Sequence, residues 1–289
     1  MILQSIVIAG VVGVGIAYAM LLKRLKKIAD AKQPEPVKPA FSTGELDRYA
    51  RHIMLREIGG PGQKRLKSSK ILVVGAGGLG SPVLMYLAAA GVGRIGVIDD
   101  DVVEASNLQR QIIHTDQRIG MGKVESALQA MQGLNPFVDV RTYRRRLDEQ
   151  TIDLIEEYDL ILDGTDNFDT RYLVNRACVK FGKPLISGAL TQWEGQVSLF
   201  DPAHGTPCYH CIFPHRPAPG MVPTCAEAGV AAPLPGIIGS MMAMEAVKHI
   251  CDAGQGLGGR LLIFDALFAE TRLIKIERRA DCEVCGGSV

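Results

Sequence analysis

The turn Gly75-Ala76-Gly77-Gly78-Leu79-Gly80 has a composition that lets backbone N–H groups approach a phosphate closely, and other chemistry-bearing residues follow it in order. These are Asp99, the segment Ser106-Asn107-Leu108-Gln109-Arg110-Gln111, then Lys123 and Asp166-Asn167. Gly75, Gly77 and Gly78 fall where an apolar strand-like run, Lys70 to Val74, passes into a helical pattern, Leu79 to Ala90. Asp99 lies about two dozen residues after Gly75, close to the spacing of the acid that accepts ribose hydroxyls in nucleotide-binding α/β folds. These features suit a dinucleotide or ATP equally. The later residues turn the reading towards ATP: Asn107 offers an amide, Arg110 a guanidinium and Lys123 an ammonium, the groups that neutralise a triphosphate, and no Walker-type loop accompanies them.

Asp163-Gly164-Thr165-Asp166-Asn167 follows the strand-like Leu160-Ile161-Leu162, so its carboxylates are expected at a strand's C-terminal end, the usual ligand edge of an open α/β sheet. Asp166 is a candidate magnesium ligand; the competing role for the pair is to cap the helix that contains Arg171 and Asn175. The cysteines divide. Cys208-Tyr209-His210-Cys211 and Cys282-Glu283-Val284-Cys285 are two CxxC pairs whose thiolates satisfy a tetrahedral structural zinc with no open position. His210 and His215 are nearby substitutes that a full ligand set does not need. Cys225 stands apart in a Pro- and Gly-flanked segment ahead of a helical pattern, where exposure would allow it to meet an activated acyl group. Cys178 and Cys251 fall within helical patterns and are expected in the core.

The elements that must position these groups alternate. Candidate strands are Lys70 to Val74, Arg94 to Ile98, Val138 to Tyr143, Leu160 to Leu162, Leu185 to Ser187, Gln196 to Phe200, Leu261 to Phe264 and Arg272 to Ile276. Helical spacing occupies Leu46 to Leu55, Leu79 to Ala90, Lys123 to Gly133, Thr170 to Phe181 and Gly236 to Cys251. The alternation predicts an α/β, Rossmann-like mixed sheet, parallel in its first half and extended by antiparallel strands. With 289 residues and a formal net charge of +1, the chain has room for a large core and no electrostatic advertisement for nucleic acid. Seven cysteines, four of them in metal-type pairs, suit a reducing compartment.

The N-terminus reads differently. Ile6 to Leu22 is apolar and uncharged, and Lys23, Arg24, Lys26 and Lys27 follow at once. This pattern predicts a single transmembrane helix over residues 1–22, with everything after it cytoplasmic by the positive-inside rule. A basic, then Pro-rich linker is expected over 23–40, and a catalytic domain over 41–289.

Arg48-Tyr49-Ala50-Arg51, the glycine turn with Ser81, Ser106 to Gln111, Gly122-Lys123 and Thr165-Asp166-Asn167 with Arg171 together resemble the ThiF/MoeB/HesA family, relatives of ubiquitin-activating enzymes. The likeness continues through Ser187-Gly188, Glu194-Gly195-Gln196, both CxxC pairs and Thr224 to Gly229, so it covers about residues 42–289. Asp99-Asp100-Asp101 departs from the family's usual Asp-aromatic-Asp, which leaves the ribose assignment on Asp99. The resemblance implies adenylation of the C-terminal glycine of a small ubiquitin-like sulfur carrier ending in Gly-Gly, with release of pyrophosphate. The molybdopterin-synthase branch is nearest and the thiamine branch next. Gly78, Asp99, Asn107, Arg110, Lys123, Asp166 and Asn167 would surround ATP; Arg51 would reach into a neighbouring protomer, implying a homodimer; Cys225 would link covalently to the carrier. No rhodanese-like extension follows Cys285, so a separate sulfur donor is expected. A nicotinamide-dependent oxidoreductase would use the same turn but leave Asn107, Arg110 and Lys123 unexplained, and a tethered interaction module with a dead site would leave the whole ATP set unexplained.

Overall fold

The computed structural model describes residues 2–31, 39–218 and 228–286. The chain divides into two units, Met1–Ser42 and Thr43–Val289. In the first, helix α1 covers Ile2–Ala31. The apolar run does not end a helix at Leu22: α1 continues through Lys23, Arg24, Lys26 and Lys27, residues expected in a linker. Among the described residues no helix is long and apolar enough to cross a membrane, which overturns the single-pass anchor and the membrane-anchored localisation. The physical reason is the charge carried within the helix. Lys23, Arg24, Lys26 and Lys27 belong to the same helix, and each is costly to place in a bilayer core. The Pro-rich segment 32–38 lies outside the described residues.

The second unit is built on one eight-stranded sheet. Its elements are α2 (Thr43–Ile53), α3 (Gly59–Ser68), β1 (Lys70–Val74), α4 (Gly80–Ala90), β2 (Arg94–Ile98), α5 (Lys123–Leu134), β3 (Asp139–Tyr143), β4 (Leu160–Asp163), α6 (Phe168–Phe181), β5 (Leu185–Leu190), β6 (Glu194–Phe200), the short α7 (Tyr209–Ile212), α8 (Leu234–Cys251), β7 (Arg260–Asp265) and β8 (Glu270–Lys275). The strand order is β3-β2-β1-β4-β5-β6-β7-β8. Strands β3 to β5 pair in parallel, and β6, β7 and β8 extend the sheet antiparallel. The predicted mixed architecture therefore holds, and no transmembrane helix accompanies it among the described residues.

Helices cover both faces of the parallel part, which is why its strands read as continuous apolar runs rather than alternating ones. Along β1, Ile71 and Val73 join a core with Val83, Leu84 and Leu87 of α4, Val124 and Ala127 of α5, and Ile238 and Met242 of α8. Leu72 and Val74 point the other way, into a core with Ile155 of a 3-10 turn and with Leu173, Val174 and Ala177 of α6. The strand order reverses between β1 and β4. From β1 the chain builds outwards to β2 and β3, and it then returns to place β4 on β1's other side. Such a switch point opens a crevice at the C-terminal ends of the strands.

Candidate active site

The crevice at the β1–β4 switch point is a cavity of about 450 Å³. One wall is the glycine turn between β1 and α4. Gly75 adopts φ +95°, a left-handed conformation that L side chains rarely take, and a Cβ on Gly80 would stand 2.0 Å from the Gly75 carbonyl oxygen. The first turn of α4 thus packs directly on the end of β1. Gly75, Gly77 and Gly78 line the cavity.

Ala76, between these glycines, is held at both ends of its peptide groups. Its N–H donates to Asp99 Oδ2 at 2.8 Å, and its carbonyl accepts from His114 Nε2 at 2.9 Å. Since the carbonyl can only accept, Nε2 carries the proton and His114 Nδ1 accepts from the Ser126 hydroxyl at 2.9 Å. Asp99 also accepts from the Asp101 N–H at 2.9 Å. Burial pushes the Asp99 carboxyl above its ordinary range and the His114 imidazole below its own. Asp99 stands at the end of β2 on the cavity wall, with lone pairs left for a hydroxylated ligand.

Lys123 opens α5 and is almost fully buried along its stem; its ammonium donates to Asp101 Oδ2 at 2.7 Å and faces the cavity. Arg110 also lines the cavity and donates to the Ser106 carbonyl at 3.2 Å. Across the switch point, Asp163 ends β4 buried. It accepts from the Thr165 N–H and hydroxyl at 3.0 and 2.6 Å and lies 3.9 Å from the buried Arg171 guanidinium. Arg171 in turn donates to the Thr165 carbonyl and to Ser187 Oγ. This buried pair fixes the loop that presents Asp166 to the cavity. Asp166 is exposed there, with no hydrogen bond or ion pair among the described residues.

The expected residues do not all converge. Gly75, Gly77, Gly78, Asp99, Arg110, Lys123, Asp166 and Asn167 line one cavity, whereas Ser106, Asn107, Leu108 and Gln109 stand outside its lining. Asn107 has a local job: its Oδ1 accepts from the Glu104 N–H at 3.1 Å and closes the 3-10 turn that aims Arg110 and Gln111. Asn167 performs the capping role weighed for it, accepting from the Thr170 N–H at 2.9 Å at the start of α6. Arg51 is exposed on α2 and is absent from the cavity lining of its own chain. Cys225 lies outside the described residues. The site reading from sequence missed Arg145 and Arg146, which line the cavity, and gave no role of their own to Gln111 and Thr165, which line it too. Asp163, whose carboxylate was expected at the strand end beside that of Asp166, is instead buried beneath the cavity.

Cys208, Cys211, Cys282 and Cys285 are all buried and their sulfurs lie within 4.8 Å of one another. The nearest separations are 3.4, 3.7 and 3.8 Å. Four thiolates about 2.3 Å from a tetrahedral zinc would stand about 3.8 Å apart, so the donor set fits that ion. His210 Nδ1 is 3.7 Å from Cys282 Sγ, beside the set rather than within it, and His215 is exposed.

Known proteins resemble this chain over most of its length. The sulfur carrier protein adenylyltransferase of Thermus thermophilus is 51% identical over 247 residues, covering 84% of this chain and 91% of its own. The SAMP-activating enzyme E1 of Haloferax volcanii is 48% identical over 243 residues, covering 84% and 89%. The adenylyltransferase and sulfurtransferase MOCS3 of Mus musculus is 43% identical over 279 residues, covering 92% of this chain and only 60% of MOCS3. Among solved structures, E. coli MccB with AMPCPP and MccA superposes with a TM-score of 0.75 at 23% identity, over 85% of this chain and 75% of MccB, a likeness of fold. The profile of the ThiF family matches residues 49–284, and with these relatives it places the chain in the ThiF family.

Proposed function

We propose that this protein is an adenylyltransferase that uses ATP to activate the C-terminal glycine carboxylate of a ubiquitin-like sulfur-carrier protein. The observation that carries the reading is the convergence of the glycine turn, Asp99, Arg110, Lys123 and Asp166 on one cavity at the sheet's switch point, in a chain about half identical to a sulfur carrier protein adenylyltransferase. In the reaction a carrier carboxylate oxygen attacks the α-phosphorus, the bond from that phosphorus to the pyrophosphate oxygen breaks, and pyrophosphate leaves with the electron pair. Positioning and charge neutralisation do the work, with no proton to move. Asp99 accepts from the ribose hydroxyls. The turn's N–H groups, Arg110 and Lys123 balance the phosphate charge, and Asn107 acts by holding the turn that carries Arg110.

Asp166, exposed on the cavity wall and unpartnered, is the residue that would hold magnesium, which supplies further charge neutralisation to the phosphates. Cys208, Cys211, Cys282 and Cys285 would hold a structural zinc and staple the C-terminal segment to the segment after β6. Arg51 serves the cavity of a neighbouring protomer in a homodimer, in keeping with its exposed place away from its own. Cys225 attacks the carrier's acyl adenylate, forming a thioester to the carrier as the bond to AMP breaks and AMP leaves, ahead of sulfur transfer from a separate donor protein.

Purified protein incubated with ATP and a carrier ending in Gly-Gly should give carrier-dependent exchange of label between ATP and pyrophosphate, and acyl adenylate by mass. A carrier recovered unmodified while the protein binds ATP would overturn the reading. Running the molybdopterin-type and thiamine-type carriers side by side identifies the branch. Arg51→Ala should cut exchange and leave the fold intact; full exchange would remove Arg51 from the mechanism. Cys225→Ser with undiminished thiocarboxylate formation would do the same for Cys225.

A further inference from the structure

We propose that Gln111 is a further substrate-contacting residue, its carboxamide donating to the phosphate chain of the nucleotide beside Gly77. The inference rests on the cavity being the nucleotide site. Gln111 is only 5% exposed, yet it lines that cavity. Its backbone is locked: the Gln111 N–H donates to the Asn107 carbonyl at 2.9 Å, and the Gln111 carbonyl accepts from the His114 N–H at 3.1 Å. The turn capped by Asn107 thus fixes where this side chain can go.

Its amide is the group without an internal purpose. Oε1 is buried with no hydrogen-bond partner, and among the described residues Nε2 has none either. A phosphate cannot satisfy Oε1, an acceptor; what the amide offers a nucleotide is Nε2, a donor on the cavity wall with no internal partner among the described residues. A second buried glutamine makes the contrast. Gln63 uses its Nε2 to bond the Ala90 carbonyl at 2.8 Å and tie α3 to the end of α4. Gln111 ties nothing. Its Nε2 instead stands 3.6 Å from the point a Cβ on Gly77 would occupy, against the glycine turn that lines the same cavity. The other donors of the wall are partly engaged already, Lys123 with Asp101 and Arg110 with the Ser106 carbonyl, so a phosphate chain would find in Gln111 a placed and uncommitted donor.

The test uses the full chain and α,β-methylene ATP as the probe, with affinity read by calorimetry and thermal midpoints taken without nucleotide. Gln111→Met keeps the shape and removes the amide. It should weaken binding about tenfold and leave the midpoint unchanged or raised, because it deletes an unpartnered buried group. Gln111→Glu places a carboxylate beside the phosphates and should weaken binding further; it also carries the test should the methionine variant fail to fold. Parental affinity in the folded variants would overturn the inference, as would a lowered midpoint with affinity retained, which assigns Gln111 to packing alone. Probe binding needs no carrier protein, so a parent protein that binds the probe but adenylates no carrier would count against the proposed reaction and leave the Gln111 result standing.

Discussion

The parallel half of the sheet and the segments beyond its antiparallel half use polar residues in opposite ways. At the parallel edge, groups are placed and then left with capacity to spare: Asp166 and the Gln111 amide have no partners among the described residues, and Asp99 keeps free lone pairs. Around the four cysteines the donor set is closed, with every sulfur buried and turned towards the others. The first arrangement suits a ligand taken from solution. The second can hold one ion and present nothing further, so its contribution is to stability.

Changes on the two sides should separate activity from stability. The largest effect is expected from Lys123→Ala, which removes a buried cation from the cavity wall; carrier-dependent exchange should fall on the order of a hundredfold or more, with the thermal midpoint nearly kept. Midpoint loss in proportion to activity would erase the distinction. Next comes Asp163→Asn beneath the cavity, which leaves the Arg171 guanidinium buried against a neutral partner. This should cost about 3 kcal/mol, seen in denaturant melts, and disturb nucleotide binding because the same pair holds the Thr165–Asp166 loop.

On the closed side, Cys285→Ser should abolish zinc retention, measured by metal analysis, and lower the melting temperature by roughly 10 °C, while nucleotide affinity well below the melt stays near that of the parent. A matched loss of affinity would mean that the staple and the cavity are coupled. The smallest effect is a pH dependence from His114. Because burial holds its folded-state value below 6.5, the unfolded chain binds a proton more readily. The contribution of His114 is therefore present above pH 6.5 and is lost as pH falls below that value towards the folded one, by at most about 1.4 kcal/mol per pH unit. Melts at stepped pH should show this slope, and His114→Gln should flatten it.

How much of this was legible in the chain varies by element. The boundaries of β1 and β2 follow from unbroken apolar runs, and α4 begins one residue after its expected start. Helix α3 escaped notice because Gly59-Gly60-Pro61-Gly62 reads as a loop; it forms because Leu66 and Gln63 are fully buried and Gly62 lies against Ile58 and Cys251. The chemistry-bearing segment at 106–111 was found but its division of labour was not. Spacing cannot tell that Asn107 turns inwards as a cap while Gln111 faces the cavity. At the N-terminus, local hydropathy suggested a span, but the described helix runs on through the basic residues that were expected to end it.

By itself, the sequence determined whatever depends on neighbours along the chain. That includes the glycine turn, whose conformation only small residues tolerate, the strand and helix periods, and the two CxxC pairs, whose spacing suits metal ligands. Tertiary structure alone decided which residues meet. The β1–β4 reversal brings Asp166 opposite Asp99 and Lys123, and the folded tail brings Cys282 and Cys285 to Cys208 and Cys211 across more than seventy residues. Pairings of that kind are set by the burial of both faces of one sheet. They depend on how distant apolar surfaces pack together, which no local pattern records.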